Sequence, residues 1–250
     1  MKANDFDSHW NDYSSQDLPI TKKIEAQRFL RPLFATMESR GPLRVLDAGC
    51  GDGVHIEVIA ANRNAVESGC LVGLDISMSA LHAARRRGKG KWEFVQGDLG
   101  KLPFVDSGFD VVFSFGVLAY TDDPPLSFSE FCRVTKMGGY IGIWVYPRIG
   151  GLGGVLFSLA RRLCQLTAPL GSRIIAECIV PFLGFLPTRS KMNLANASWK
   201  QCREVVLVNL RPRQLVFPTP SEVEGWFKRH NIKITDRDRG NPVTVWGVKC

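Results

Sequence analysis

The stretch Val45–Gly53, with the sequence VLDAGCGDG, decides how the rest of this chain is interpreted. Its first residues are apolar and predict a buried strand, and the residues that follow, Val54–Ala61, predict a helix. Glycine adopts backbone angles that a side chain forbids and lets the main chain approach a ligand closely. A strand, a glycine turn and a helix in this order predict a nucleotide-binding corner. The glycines of the turn are Gly49, Gly51 and Gly53.

The spacing of these glycines indicates which nucleotide is bound. A dinucleotide-binding turn has the pattern G-x-G-x-x-G, whereas here the glycines alternate and follow an acidic residue, Asp47. A nicotinamide-dependent oxidoreductase is therefore disfavoured. The pattern D-A-G-C-G-D-G resembles the first motif of the class I S-adenosylmethionine-dependent methyltransferases. The alternative is a glycine turn that only joins a strand to a helix.

The resemblance implies a doubly wound α/β fold with a seven-stranded, mostly parallel sheet, and it implies S-adenosylmethionine as the cofactor. It also implies that Asp47 anchors the loop near the methionine ammonium group and that the glycine backbone lies against the cofactor. The loop residues that it assigns to the cofactor site are Gly49, Cys50, Gly51 and Gly53.

Two further strand ends match the family through acidic residues. Cys70–Asp75 predicts the second strand, and the resemblance implies that Asp75 accepts the ribose hydroxyls, with Ile76 beside it. A carboxylate can accept two O–H donors at once, although a helix N-cap is the alternative role for this residue. Asp98 and Leu99 follow the predicted third strand. The resemblance places them at the adenine amino group and ring, and a turn-capping role is the alternative for the aspartate.

The predicted fourth strand also resembles the family. Ser107–Phe115, SGFDVVFSF, follows Leu102–Phe104 and matches the signature LPF…FDVV, which adds Phe115 to the cofactor site. Many members that act on small molecules carry a histidine where this chain has Tyr120. A general base cannot be assumed here, but a tyrosine can orient a substrate or relay a proton, so Tyr120 is the candidate catalytic residue.

The rest of the chain predicts the remainder of the sheet. Gly138 and Gly139 are predicted to end the helix after the fourth strand, and Ser221 is the candidate N-cap of the last helix. The family's sheet ends in a reversed hairpin, which the last two strands would form. The predicted elements are the helix Pro124–Lys136, the strand Tyr140–Tyr146, the helix Pro220–His230 and the strands Ile232–Thr235 and Val243–Val248.

We expect a single methyltransferase domain over residues 1–250, with an N-terminal helical lid over residues 1–40. Apolar residues at helical spacing between Thr21 and Met37 predict one helix in this lid. The resemblance implies that Tyr13 touches the methionine carboxylate. The alternative is that this aromatic residue only anchors the segment to the core.

Residues 147–219 are too many for an ordinary connection after the fifth strand. We predict a helical insertion that caps the substrate, with packing or a dimer surface as the alternatives. Its apolar segments are Leu152–Leu166 and Arg173–Leu186, preceded by glycines between Gly150 and Gly154 that predict a hinge. Two arginines near its end are candidates for clamping a substrate carboxylate or phosphate, or are exposed loop residues. They are Arg211 and Arg213.

Composition limits the classes of partner. The formal net charge of +8 raises nucleic acid or anionic lipid as partners, but the basic residues are mostly dispersed. The densest cluster, Arg85–Lys91, ends a predicted helix and is interpreted as a solvated helix end. The N-P-P-Y string typical of nucleic-acid and protein amide methylation is missing after the fourth strand, so nucleic acid is disfavoured.

Cysteine usage and the N-terminal sequence bear on location. Seven cysteines without a C-x-x-C pair and four isolated histidines predict no metal site. Reduced thiols and a polar N-terminus without signal-peptide features favour a cytoplasmic protein. No apolar run reaches the length that spans a bilayer.

The expected function is methyl transfer to a small-molecule acceptor, an oxygen or nitrogen nucleophile, by in-line displacement. One alternative is a lipid or quinone-like acceptor reached at a membrane surface through the apolar insertion. Another is a catalytically inactive subunit that binds the cofactor and supports a partner. The sequence predicts neither the identity of the acceptor nor the oligomeric state.

Overall fold

The computed structural model describes residues 20–40, 43–62, 70–146, 151–166, 215–238 and 243–250, together with Ile174 and Glu177. The chain divides into two compact units, one formed by Met1–Pro147 with Val216–Cys250 and the other by Arg148–Leu215. Residues 1–19 of the proposed lid and most of the proposed insertion lie outside the described residues. The same holds for three predicted site residues, Tyr13, Arg211 and Arg213.

The first unit is built on a seven-stranded sheet with the order β3-β2-β1-β4-β5-β7-β6. The first five strands pair in parallel, and β7 runs antiparallel to both of its neighbours. This confirms the predicted mostly parallel sheet with its reversed last hairpin. The strands are β1 (Val45–Ala48), β2 (Leu71–Asp75), β3 (Glu93–Gln96), β4 (Phe109–Phe115), β5 (Thr135–Val145), β6 (Ile232–Asp238) and β7 (Val243–Lys249).

Helices cover both faces of this sheet. Residues of α1–α4 belong to one buried apolar cluster, and residues of α5 and α7 belong to a second one. All four positions of β1 are buried, as a central parallel strand covered on both faces requires. The helices are α1 (Ile20–Phe29), α2 (Arg31–Arg40), α3 (Val54–Ala60), α4 (Met78–Gly88), α5 (Pro124–Val134), α6 (Gly151–Leu166) and α7 (Pro220–Arg229).

Trp246 fastens α1 to the antiparallel side of the sheet. Its ring is fully buried, and its indole N–H donates a hydrogen bond of 3.1 Å to the carbonyl oxygen of Phe29. A Cβ on Gly142 of β5 would lie 2.5 Å from this ring. Glycine is therefore required there for the tryptophan to lie flat against its neighbouring strand.

Two predicted helix boundaries are wrong. The single helix expected between Thr21 and Met37 is divided at Leu30 into α1 and α2. Pro32 lies in the first turn of α2, where a missing N–H removes no helical hydrogen bond, and it cannot continue the ladder of α1. The last helix is capped by Thr219 rather than by Ser221, because the Thr219 hydroxyl accepts the N–H of Glu222.

The predicted role of Gly138 is also wrong. Gly138 does not end a helix, since α5 already ends at Val134 and β5 begins directly after it. Gly138 has a φ of 71° and lies in the part of β5 where the register with β4 shifts. Gly151, Gly153 and Gly154 lie in the first turn of α6, Gly150 lies outside the described residues, and the hinge stays a prediction. The first turn of a helix has no intrahelical N–H bonds to lose, so glycine is tolerated there.

The strand order positions the site. β1 lies between β2 and β4, so the chain crosses from one side of β1 to the other. In open α/β sheets, ligands bind outside the carboxyl ends of the strands at such a reversal of strand order. The glycine turn after β1 lies at this point.

Candidate functional site

Three glycines with positive φ shape the loop between β1 and α3: Gly49 (90°), Gly51 (52°) and Gly53 (76°). This part of backbone space strongly favours glycine. The N–H groups of Gly49 and Cys50 both donate to the carbonyl oxygen of Leu74, at 2.7 and 2.9 Å. The loop is therefore tied to the carboxyl end of β2, and Gly53 serves as the N-cap of α3.

Asp75 holds the same loop from the end of β2. Its Oδ2 accepts the N–H of Gly51 at 2.9 Å, and its Oδ1 accepts the N–H of Ser77 at 2.9 Å. The N-cap of α4 is Ser77, whose hydroxyl accepts the N–H of Ala80, so Asp75 does not have that alternative role. A carboxylate offers about four acceptor positions, which lets one side chain bind both the loop and ligand hydroxyls.

A cavity of about 280 Å³ lies beside Asp75, where β1–β4 end. Five of the predicted cofactor residues line it: Gly49, Asp75, Ile76, Asp98 and Leu99. The segment between β4 and α5 and the first turn of α5 supply much of the remaining lining: Val117, Thr121, Asp122, Asp123, Leu126 and Ser127. The structure thus brings residues from four strand ends together around one space.

The lining is apolar in its walls and acidic in its polar groups. The lining residues include four carboxylates and one cationic side chain. This excess of negative charge favours a ligand that donates hydrogen bonds or carries positive charge. The apolar side chains include Ile76, Leu99, Val117 and Leu126. The charged residues are Asp75, Asp98, Asp122, Asp123 and Lys101.

Asp98 has the turn-capping role that was the alternative to adenine recognition. Its Oδ1 accepts the N–H of Gly100 at 2.8 Å, and its carbonyl oxygen accepts the N–H of Lys101 at 3.1 Å. Its side chain is exposed and lines the cavity, while the neighbouring Leu99 is buried. The capped turn fixes the direction of the carboxylate, so both roles are compatible.

Asp47 lies at the end of β1 and is only 1% exposed. Neither of its carboxylate oxygens has a hydrogen-bond partner among the described residues, and His55 Nδ1 lies 4.0 Å from Oδ2. Burial raises the pKa of this carboxyl well above its usual value, and the charges of Asp75 and Asp52 raise it further. A buried polar group without a partner is costly, so the residues fit a ligand whose ammonium group supplies one.

Cys50 supports the loop rather than reacting. Burial raises the pKa of its thiol well above the ordinary value, and the negative charge of Asp47 adds to this effect. The reactive thiolate is therefore disfavoured. A Cβ on Gly73 would lie 2.8 Å from the Cys50 sulfur, so the thiol packs directly against β2.

Six of the predicted site residues that the structure describes lie outside the cavity lining. Phe115 stacks on Trp144, with ring centroids 4.2 Å apart, and its centroid is 4.5 Å from that of His55. Tyr120 is buried in a short 3-10 helix, Leu118–Tyr120. The loop residues Asp47, Cys50, Gly51 and Gly53 also lie outside the lining, behind or within the turn.

Leu126 is the lining residue that sequence reasoning most clearly missed. It is 51% exposed although apolar, and it lies in the first turn of α5 beside the cavity. Its N–H donates to Oδ1 of the N-cap Asp123 at 3.0 Å. The sequence Asp123-Pro124-Pro125 signals a helix start after β4, and such a start lies at the same sheet edge as the glycine loop.

The described part of the chain contains no cluster of His, Cys, Asp and Glu side chains that could hold a metal ion. Its five cysteines are free thiols. Among the same residues, no helix has both the length and the apolar character needed to cross a membrane.

Residues 46–143 match the family described as the methyltransferase domain. This match supports the predicted class I S-adenosylmethionine-dependent methyltransferase family. The matched residues run from β1 into β5 and include the glycine loop, Asp75 and the cavity lining. The predicted doubly wound α/β fold class is confirmed by the seven-stranded sheet.

Curated relatives share this methyltransferase domain over part of their length. The malonyl-[acyl-carrier protein] O-methyltransferase of Legionella pneumophila is 30% identical over 136 residues, which are 54% of this chain and 45% of that protein. The demethylmenaquinone methyltransferase of Renibacterium salmoninarum is 39% identical over 111 residues, which are 43% of this chain and 44% of that protein. The chain spans less than half the length of either relative.

Solved methyltransferases have a similar fold. The magnesium protoporphyrin IX methyltransferase of Synechocystis PCC 6803, solved with bound SAH, superposes with a TM-score of 0.59. The match covers 99% of this chain and 98% of that chain at 14% identity. At this identity the likeness establishes the fold, and the chemistry must be argued from the residues of this chain.

Proposed function

We propose that this chain transfers a methyl group from S-adenosylmethionine to a small-molecule acceptor with an oxygen or nitrogen nucleophile. The observation that carries the proposal is the cavity beside Asp75, which five predicted cofactor residues line. The match of residues 46–143 to the methyltransferase domain family supports the same activity independently of the cavity.

The cavity suits the adenosine part of the cofactor. In this proposal Asp75 accepts the ribose hydroxyls while it holds the N–H of Gly51. The purine lies between the apolar side chains of the lining, with Ile76, Leu99 and Leu126 in contact with it. Asp98, oriented by its turn, accepts the adenine amino group.

Asp47 suits the methionine part. Its buried carboxyl lacks a hydrogen-bond partner among the described residues, and the cofactor's ammonium group would supply a charged donor. The negative charge of Asp47 would then be stabilised rather than penalised by burial. Tyr13 stays the candidate for the methionine carboxylate, and it lies outside the described residues.

S-adenosylmethionine, when bound, supplies a methyl group on a positively charged sulfur that leaves readily. The residues of the chain mainly have to hold the acceptor nucleophile close to that methyl group and in line with it, which can contribute about 7–11 kcal/mol. Tyr120 is the candidate that orients the acceptor, although it lies outside the cavity lining. Arg211 and Arg213 are the candidates for an acidic group on the acceptor.

A lipid or quinone-like acceptor is the second candidate, and α6 provides the observation in its favour. Val155, Leu159 and Leu163 recur every four residues, and Leu166 follows on the same face. All four side chains are exposed. The helix has two arginines and no acidic residue, and such an amphipathic helix can lie at a membrane surface. The name of the Renibacterium relative assigns a quinone substrate to that protein.

The test follows label from methyl-labelled S-adenosylmethionine into a panel of acceptors. The panel contains soluble carboxylic acids, phenols and amines, and a hydroquinone embedded in vesicles. The first candidate predicts label on a soluble acceptor without vesicles, and the second predicts label only on the embedded hydroquinone. Asp75→Ala should lose transfer at a subsaturating cofactor concentration, while the exposed Asp236→Ala should keep it. No transfer together with no binding of S-adenosylhomocysteine would contradict both.

A further inference from the structure

The basic cluster at the end of α4 is not uniformly solvated. Arg85, Arg86 and Arg87 occupy its last turn, and the first two are exposed. The side chain of Arg87 is only 9% exposed. A buried guanidinium requires partners, because removing a charge from water is costly.

The partners of Arg87 lie in the glycine loop and on α3. Its Nε donates to the carbonyl oxygen of Asp52 at 2.9 Å, and its Nη2 donates to the Asp52 carboxylate at 2.8 Å. Its Nη1 donates to Oε2 of Glu57 at 2.9 Å. Arg87 therefore holds both the main chain and the side chain of one loop residue.

Asp52 is the residue between Gly51 and Gly53, and its side chain is 4% exposed. The loop is thus held at two adjacent positions, with Asp75 bonded to Gly51 and Arg87 bonded to Asp52. A loop with alternate glycines has many accessible conformations, so these bonds select one of them.

The same network reaches the helix that precedes the sheet. Glu57 accepts a hydrogen bond of 2.7 Å from Lys23 Nζ on α1, in addition to the bond from Arg87. Three helices and the glycine loop therefore meet in one group of ion pairs. A lysine in place of Arg87 could not make three bonds in a fixed plane, because an ammonium group has no planar fork.

We propose that Arg87 is a positioning residue for the cofactor site, which it serves by fixing the glycine loop through Asp52. This inference rests on the function proposed above. The loop is then organised for the cofactor before the cofactor arrives, and losing the arginine leaves the Asp52 carboxylate buried without its cation. The alternative is that the ion pair of Arg87 and Asp52 only stabilises the fold, in which case its loss would leave the affinity for the cofactor unchanged.

A double-mutant cycle tests the proposal by calorimetric titration with S-adenosylhomocysteine. The variants are Arg87→Met, Asp52→Asn and the two together, compared at a temperature at which circular dichroism shows every variant folded. We expect Arg87→Met to raise the Kd about tenfold, which corresponds to about 1.4 kcal/mol. Asp52→Asn should have a similar effect, and the double variant should add little, since both changes remove the same contact.

Arg86→Met is the matched control, because Arg86 is exposed in the same helical turn and carries the same charge. It should leave the Kd within about twofold of the wild type. Arg87→Lys should fall between Arg87→Met and the wild type. If Arg87→Met does not fold, the Kd values of Arg87→Lys and Asp52→Asn for S-adenosylhomocysteine test the positioning role instead.

A lowered melting temperature with an unchanged Kd in both Asp52→Asn and an Arg87 variant would overturn the positioning role. Effects of Arg87→Met and Asp52→Asn that add fully in the double variant would also overturn it. A wild-type chain that does not bind S-adenosylhomocysteine would instead contradict the proposed function, so the two failures are distinguishable.

Discussion

The buried carboxyl group of Asp47 opposes folding in the ligand-free chain. Its oxygens lack hydrogen-bond partners among the described residues, and its pKa is raised by burial and by two neighbouring aspartates. A buried group with a strongly raised pKa is typical of a site at which a bound ligand interacts with that group. Stability and binding should therefore respond in opposite directions when this residue is changed.

The variant Asp47→Asn tests whether stability and ligand binding respond in opposite directions, and the pH dependence of its stability shows whether the carboxyl group is the cause. The pKa of Asp47 in the folded chain lies above its unfolded value of 3.8, so its contribution to stability is present below that value and is lost as pH rises through the folded pKa. We expect ligand-free Asp47→Asn to unfold at a higher temperature than the wild type, by a margin larger at about pH 8 than at about pH 5. The variant should also bind S-adenosylhomocysteine more weakly.

Thermal unfolding at both pH values and a calorimetric titration measure the two effects. Asp236→Asn, an exposed change on β6, serves as the control and should track the wild type at both pH values. If the melting temperatures of Asp47→Asn and the wild type change with pH in parallel, and both bind S-adenosylhomocysteine equally well, Asp47 does not take part in cofactor binding.

The position of each residue along the sequence limited what could be predicted of it. Asp75 and Asp98 both follow parallel strands, which end at a common edge of the sheet, and both line the cavity, while their roles toward the cofactor stay predictions. Phe115 also ends a strand, but its side chain packs in an aromatic stack. Which way a strand-end side chain points depends on tertiary neighbours, and Leu126 was missed because it contributes through a helix start.

At the scale of elements, α7 shows how a cap fixes a helix boundary. Thr219 and Glu222 form a reciprocal capping box, in which the hydroxyl accepts the N–H of Glu222 and the Glu222 carboxylate accepts the N–H of Thr219 at 2.6 Å. Two orphan N–H groups at the start of the helix are thereby satisfied. The neighbouring Ser221 is exposed within the first turn.

Thr219→Ala should lower the free energy of unfolding by about 1 kcal/mol, since it removes the hydroxyl that accepts a helix N–H. Ser221→Ala should change it by less than about 0.5 kcal/mol. Urea denaturation of both variants measures the difference. Equal losses from the two substitutions would show that the boundary of α7 is not set by this cap.

Element types were easier to predict than element ends. Every strand of the sheet was predicted. The central strands β1 and β4 are almost wholly buried and therefore have continuous apolar sequence, whereas the edge strands β3 and β6 are largely exposed. The start of β5 was missed by several residues. The first part of β5 contains Gly138, which has a positive φ and lies where the register between β4 and β5 shifts. Such an irregular start depends on the pairing with β4 and cannot be recognised from the sequence of β5 alone.

At the scale of the whole molecule, charge and the apolar face of α6 raise the question of membrane contact. The formal net charge is +8, and α6 exposes four large apolar side chains. The favoured proposal, a soluble acceptor, predicts that the chain does not co-sediment with anionic vesicles at physiological salt. Screening at this ionic strength removes the attraction of dispersed surface charges.

The co-sedimentation experiment compares vesicles with and without anionic lipid. It includes the variants Leu159→Glu and Leu163→Glu, which alter the exposed apolar face of α6. Co-sedimentation that requires anionic lipid, falls with added salt and is lost in both variants would support the acceptor at a membrane surface instead. A chain that stays in the supernatant in every condition agrees with the soluble acceptor.

The overall fold was predictable because one short motif fixes the order of strand, turn and helix, and the remaining strands follow its pattern. The acceptor was not predictable for a physical reason. Methyl transfer requires alignment more than a dedicated set of catalytic groups, so the acceptor side of such a site carries no fixed residue pattern.

The central claim is that the cavity beside Asp75 binds the adenosine of S-adenosylmethionine, and a calorimetric titration with S-adenosylhomocysteine tests it most directly. We predict that the wild type binds and that Asp75→Ala binds about 1.5–3 kcal/mol more weakly, the range for a hydrogen bond to a charged group. Asp236→Ala should bind like the wild type, and NADH should not bind at all. An Asp75→Ala variant with unchanged affinity, or a wild type that binds NADH and not S-adenosylhomocysteine, would contradict the claim.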